Sequence, residues 1–215
     1  SNNTADIKFK YIVFNGQLII DEYEGSIESR STIVGHANAA GAMTVGAIRY
    51  DKTPAYQSAP ENPSEVLPTD ILNIMSYSSV GGQTIDGLNR NKPDFTAPDG
   101  ANTTVDLGGG DWIPTDSIPE GDLDDYPNFF GTSAAAPHAA AVAALLMDAR
   151  NAYFSAGLNP TDVRSILSNS AIGSSGYDPV YGNGFIQADA ALLNLANSSP
   201  IISEDIIVEG GIPGI

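Results

Sequence analysis

The sequence contains no cysteine, and this excludes a disulfide framework, a thiolate zinc site and a cysteine nucleophile. Basic residues are scarce. Nine Lys and Arg stand against 26 Asp and Glu, a formal charge of -17. Such a surface repels phosphate backbones and anionic membranes, so no nucleic-acid or membrane partner is expected. No run approaches the ~18 apolar residues of a membrane span, and no basic segment precedes an apolar one at the N-terminus. Histidine is limited to His36 and His138, so a histidine acting as general base has two candidates at most. No cofactor or metal signature is present.

The 215 residues, 42% of them hydrophobic, suffice for one sizeable globular domain. Residues 8–22 alternate around Asn15-Gly16, the dipeptide suited to a two-residue type I′ turn. This predicts a hairpin with Phe9, Tyr11 and Val13 on one face of its first strand and Leu18 and Ile20 on one face of its second. The run Ala42 to Ile48 is apolar without alternation, as expected of a strand buried on both faces of a parallel sheet. Ile71 to Met75 is a weaker example of the same kind.

From Pro98 to Phe130 the chain is rich in Gly, Pro and Asp and reads as a long loop. The alanine-rich segment Ser133 to Phe154 predicts a helix packed closely on the sheet, with Pro137 in its first turn. Asn159-Pro160 predicts the capped start of a second helix ending near Asn169. A third is expected over Gln187 to Ala196. The fold class is therefore α/β, a parallel sheet flanked by helices.

A serine hydroxyl becomes a nucleophile when a base removes its proton and donors stabilise the oxyanion that forms. Ser133 stands where a glycine-bearing loop enters a helix, with unpaired N–H groups and the positive helix end converging on it. Read alone, a serine in that place is a helix cap. The eight residues Gly131-Thr132-Ser133-Ala134-Ala135-Ala136-Pro137-His138, however, closely resemble the segment around the catalytic serine of the subtilisin-like peptidases, or subtilases. Further segments follow in that family's order: Gly35-His36-Ala37-Asn38-Ala39 with Thr44-Val45-Gly46-Ala47, then Tyr77 to Gly82, Lys92 to Pro98, and Tyr181 to Ala188. The likeness covers roughly residues 31 to 196. It departs from the family at Asp99, which separates Pro98 from Gly100, and at Val80, where Arg is common.

The resemblance implies a subtilisin-like parallel sheet, present here as the C-terminal half of a catalytic domain over 31–197. An inserted β-hairpin at 1–30 precedes it, and a tail or linker follows at 198–215. It further implies a serine endopeptidase with Ser133 as nucleophile, Gly131 and Thr132 as support for the oxyanion site, and a polypeptide substrate, in a secreted or cell-envelope setting. In subtilases the catalytic Asp, His and oxyanion Asn precede the serine, and their usual contexts are absent from this sequence. The two histidines do not replace them. His138 lies about 140° around and roughly 7.5 Å along the helix from Ser133, which suits a structural N–H donor. His36 falls in a connection ahead of a core strand.

The expected partner is therefore the missing N-terminal half, without which the chain is inert; an exposed sheet edge also favours homo-oligomers. The alternative is a non-catalytic subtilase-like module that binds proteins. The carboxylates Asp116, Glu120, Asp122, Asp124 and Asp125 lack the spacing of a dedicated calcium loop and read as a solvated acidic segment. Trp112 and Tyr126 flank it, either lining a cleft or merely exposed. Asp94 reads as a turn or capping residue.

Overall fold

The computed structural model describes residues 32–50, 53, 74–81, 83–85, 88–105, 126–173 and 176–197. The predicted hairpin, the acidic segment with Trp112, and the tail after 197 lie outside them.

The apolar run at 42–48 contributes strand β1 (Val45–Arg49), in which Gly46, Ala47 and Ile48 are buried in succession. Three buried neighbours mean that both faces of the strand are covered. Two short strands, β2 (Gln83–Ile85) and β3 (Leu88–Arg90), pair antiparallel with each other. The chain then returns as β4 (Phe95–Asp99), parallel to β1, with Val45 opposite Phe95, Ala47 opposite Ala97, and Arg49 opposite Asp99. Because side chains alternate, these six share one face of the sheet.

Helix α1 (Thr132–Phe154) packs on that face. Ala135, Ala139 and Leu146 join Ala47, Phe95 and Ala97 in one core. Alanine meets alanine across the contact, so the helix axis lies close to the sheet, as the composition of the segment led one to expect. The opposite face, carrying Gly46 and Ile48, is met by segment 74–78. A Cβ on Gly46 would stand 3.0 Å from Ser78 Oγ, and Ser78 Oγ accepts the Ala47 N–H at 3.1 Å. Among the described residues a helix thus covers one face, and an irregular segment meets the other.

Both edges of the β1–β4 pair are extended by short pieces. Ile74 bridges Ile48 antiparallel and Met75 N–H reaches Ala47 O, so the described part of the expected 71–75 strand is one bridge of opposite sense. Beside β4, Thr96 N–H donates to Gly184 O and Ile186 N–H to Thr96 O, which lays 184–186 along the other edge. Gly81 in the 74–81 segment passes so near Lys92 that a Cβ there would sit 1.5 Å from the Lys92 carbonyl oxygen. No other residue fits.

Two expectations change. The long loop predicted over 98–130 is closed at its base, because β5 (Ala101–Asn102) pairs antiparallel with β6 (Asn128–Phe129). Asn128 strengthens this by donating to Gly100 O at 2.9 Å and Asn102 Oδ1 at 2.7 Å. A two-residue ladder has no periodicity for sequence reading to detect. Pro137, placed in the first turn from sequence, lies deeper in α1 because the helix already begins at Thr132. The N–H it lacks would have bonded to the Ser133 carbonyl.

Helix α2 (Pro160–Ser170) starts as predicted, with Asn159 Oδ1 accepting Asp162 N–H at 2.9 Å and proline at the first helical position. Helix α3 (Ala188–Asn197) packs on α2, and both touch α1. A buried ion cluster ties α2 to the connections around the sheet. Asp94 Oδ2 accepts Thr44 N–H and Lys92 Nζ, both at 2.7 Å, while Asp94 Oδ1 lies 2.9 Å from Arg164 Nε. Arg164 also donates to Ala40 O and Ala42 O, and Lys92 to Ala42 O. Asp94 is thus more than the turn or capping residue its sequence context suggests.

Candidate active site

The parallel strands run toward Asp99, and α1 begins beside that end and runs back along the sheet. In open α/β sheets the crevice at the carboxyl ends of the strands is where ligands bind. Gly131 is the N-cap of α1 with φ 127° and ψ 161°, a conformation open in practice to glycine alone. It has no side chain to cap the helix. Its carbonyl accepts Ala134 N–H at 2.8 Å and Ala135 N–H at 3.2 Å. Thr132 and Ser133 come too early in the helix to have intrahelical acceptors, and their N–H groups sit at the positive end of the helix.

Ser133 is exposed, Thr132 and Gly131 half-buried, and Ala134 and Ala135 buried against the sheet. Ser133 is thus turned outward, while the next two small residues pack against the sheet. His138 is half-buried, with Nδ1 2.8 Å from the Ala134 carbonyl oxygen. A carbonyl only accepts, so the ring nitrogen there carries the proton. His36 stands exposed in a 3-10 turn, Gly35–Asn38. Among the described residues no hydrogen bond joins either histidine to Ser133. Tyr126 is 52% exposed and leads into β6.

Asp99, which stood out in the sequence only as a departure from the family pattern, lies at this end of β4. Its side chain is fully buried, and Oδ2 accepts both the Tyr77 hydroxyl and, at 3.0 Å, the Gly131 N–H. Oδ1 has no hydrogen-bond partner among the described residues. Burial raises the Asp99 carboxyl above its ordinary value of 3.8; the bonds from Tyr77 and Gly131 and the charges of Arg49 and His138 pull the other way. The Tyr77 hydroxyl is pushed well above the usual tyrosine range, first by burial and then by its bond to Asp99 and the charge there. The only signal in the sequence was the extra residue between Pro98 and Gly100. An acid at the end of a buried strand needs a partner, but its identity is not local.

The subtilase family model matches residues 15–184. The chain belongs to the subtilase family. The matched span holds β1, β4, all of α1 and α2 and the whole 131–138 motif, and it begins within the segment read as an insertion. Among solved structures this subtilase is similar to the CspB protease of Clostridium perfringens, at 20% identity and TM-score 0.48 over 79% of this chain and 30% of that one. It is similar to proteases from Pseudoalteromonas arctica at 22% identity and TM-score 0.42, over 75% of this chain and 38% of that one. A third is fervidolysin from Fervidobacterium pennivorans, a keratinolytic enzyme related to subtilisin, at 24% identity and TM-score 0.42, over 74% of this chain and 20% of that one. The subtilase thus spans 38% or less of each of these three chains. No curated protein matches it.

Membership carries the subtilisin-like α/β fold. No helix among the described residues is long and apolar enough to cross a membrane.

Proposed function

We propose that this subtilase chain is the nucleophile-bearing part of a serine endopeptidase, with Ser133 as the attacking residue and residues 31–197 as the C-terminal half of the catalytic domain. The observation that carries the reading is the exposed Ser133 at the N-terminus of α1, beside N–H groups with no helical acceptor. Ser133 Oγ attacks the scissile carbonyl. A histidine supplied from outside these residues takes its proton and later returns it to the leaving amine, and an aspartate from the same source orients that histidine. The Ser133 N–H, set by Gly131 and Thr132, donates to the oxyanion of the tetrahedral intermediate.

That His138 is engaged with Ala134 O and His36 sits in a separate turn supports the reading of this chain alone as inert. Proton transfer by a positioned base contributes roughly 10²- to 10⁴-fold, and one oxyanion donor about 10²- to 10³-fold. Leu145, Met147 and Tyr153 on α1 are at least half exposed, with Leu145 and Met147 on opposite flanks of the buried Leu146, and these apolar positions are suited to being covered by the N-terminal half of such a domain. The setting we propose is secreted or cell-envelope.

Fluorophosphonate labelling tests the reading, on residues 1–215 alone and on the protein expressed from its complete gene. Labelling at Ser133 only in the latter is the expected result. Labelling of the short chain overturns its inertness and makes His36 the suspect base. Labelling of neither overturns the peptidase reading in favour of a protein-binding module.

A further inference from the structure

We infer that Asp99 is a positioning residue for the nucleophile: from the end of β4 it holds the Gly131 N–H, and through Gly131 it sets where Ser133 stands. The inference rests on the reading of Ser133 as nucleophile. It concerns a residue at which this sequence departs from the usual Ala-Pro-Gly of its family.

The geometry makes Asp99 the external cap of α1. Gly131 occupies the N-cap position without a side chain, and no side chain of its own segment caps the helix. Its backbone is held on both sides of Cα, the N–H by Asp99 Oδ2 at 3.0 Å and the carbonyl by Ala134 and Ala135. The carbonyl contacts belong to α1 and move with it. The Asp99 contact is different in kind, because it refers the helix start to the sheet. Asp99 belongs to a strand hydrogen-bonded along both edges, by β1 and by 184–186, and its side chain is completely buried. Tyr77 grips the same oxygen from the 74–81 segment.

Gly131 needs such a tether. Its backbone lies in a region that an L-residue avoids, and glycine itself is free to leave it for many others. Ser133 follows by two peptides, so a swing at Gly131 is passed directly to Oγ and to the Ser133 N–H. Misplacement of reacting groups by ~1 Å lowers rate by about 10²-fold. A carboxylate at the positive end of the helix is also electrostatically well placed. Arg49, opposite Asp99 in the register, and His138 on α1 are the charged or titratable groups whose fields stabilise it, with Tyr77 as donor.

The test uses the protein expressed from its complete gene, with variants D99A, D99N and Y77F, and compares fluorophosphonate acylation of Ser133, peptide kcat and KM, and melting temperature. D99A leaves two donors without an acceptor, and is expected to lower acylation rate and kcat about 100-fold with KM within about twofold. D99N keeps an acceptor oxygen for Gly131 and Tyr77, and its kcat is expected within about tenfold of the parent. Y77F should fall between the parent and D99A while remaining folded. A parent protein that is labelled, together with a folded D99A or Y77F whose kcat is unchanged, overturns the positioning role. A D99N as impaired as D99A also overturns it, since the acceptor would not be what matters. A parent that is never labelled overturns instead the assignment of Ser133 on which the inference rests.

Discussion

Replacing Asp94 by asparagine isolates the energetic role of the buried ion cluster. The substitution preserves size but removes the charge that faces Lys92 Nζ at 2.7 Å and Arg164 Nε at 2.9 Å. The side chains of Lys92 and Asp94 are 4% and 7% exposed, so the Lys92 ammonium would be left buried without a countercharge, facing only neutral oxygens such as the Ala42 carbonyl. Removing one member of a buried pair is destabilising by about 3–5 kcal/mol, because the other charge stays behind uncompensated. Spread over a domain of this size, that lowers the melting temperature by roughly 6–20 °C. Arg164 is 31% exposed and water still reaches it, so R164A should be destabilising by about 1 kcal/mol or less from its ion pair. The cycle is completed with K92M: adding it to D94N removes the orphaned ammonium, and the double variant should recover part of the loss. Urea denaturation followed by circular dichroism, on the protein expressed from its complete gene, measures all four. A D94N variant within about 1 kcal/mol of the parent would refute the argument. So would a double variant whose losses simply add, since the burden would then not be the stranded charge.

Three further outcomes follow from single groups. The folded-state pKa of Asp99 is raised, so its contribution to stability is full below the ordinary value of 3.8 and is lost as pH rises through the folded value. D99N should accordingly match the parent in acid and be at least as stable at pH 7 in thermal melts; a parent that gains on D99N as pH rises has the opposite sign. G131A forces an L-residue to φ 127° and should be destabilising by about 1–3 kcal/mol in the same denaturation assay, with slower Ser133 acylation. N159A removes the oxygen that accepts Asp162 N–H at 2.9 Å, with an expected loss of about 1 kcal/mol; a loss under a few tenths would mean that the α2 cap is replaced by water.

What could be read from the sequence is what depends on neighbours along the chain. The buried run at 42–48, the Asn159-Pro160 helix start and the alanine-rich helix each announce themselves through spacing or backbone chemistry, and β1, α2 and α1 form there. The motif at 131–138 and its ordered companions led to the subtilase family, whose match spans residues 15–184. Boundaries were less legible. The helix start expected at Ser133 lies one residue earlier, at Thr132, and Pro137, expected in the first turn, falls beyond it. The β5–β6 pair was invisible, being two residues long with its partner 26 positions away at Asn102 and Asn128.

Only the tertiary structure decided which charges meet. Asp94 and Asp99 look alike in sequence, each an acid near a proline at the ends of one short strand. Asp94 faces two cations and a backbone N–H, whereas Asp99 faces a tyrosine hydroxyl and the N-cap of α1, with one oxygen unpartnered among the described residues. Local propensity and periodicity depend on residues a few positions apart, and so they are written in the chain. Hydrogen bonding and desolvation of a buried carboxylate depend on groups tens of residues away, which exist as neighbours only after β4, the 74–81 segment and α1 have packed.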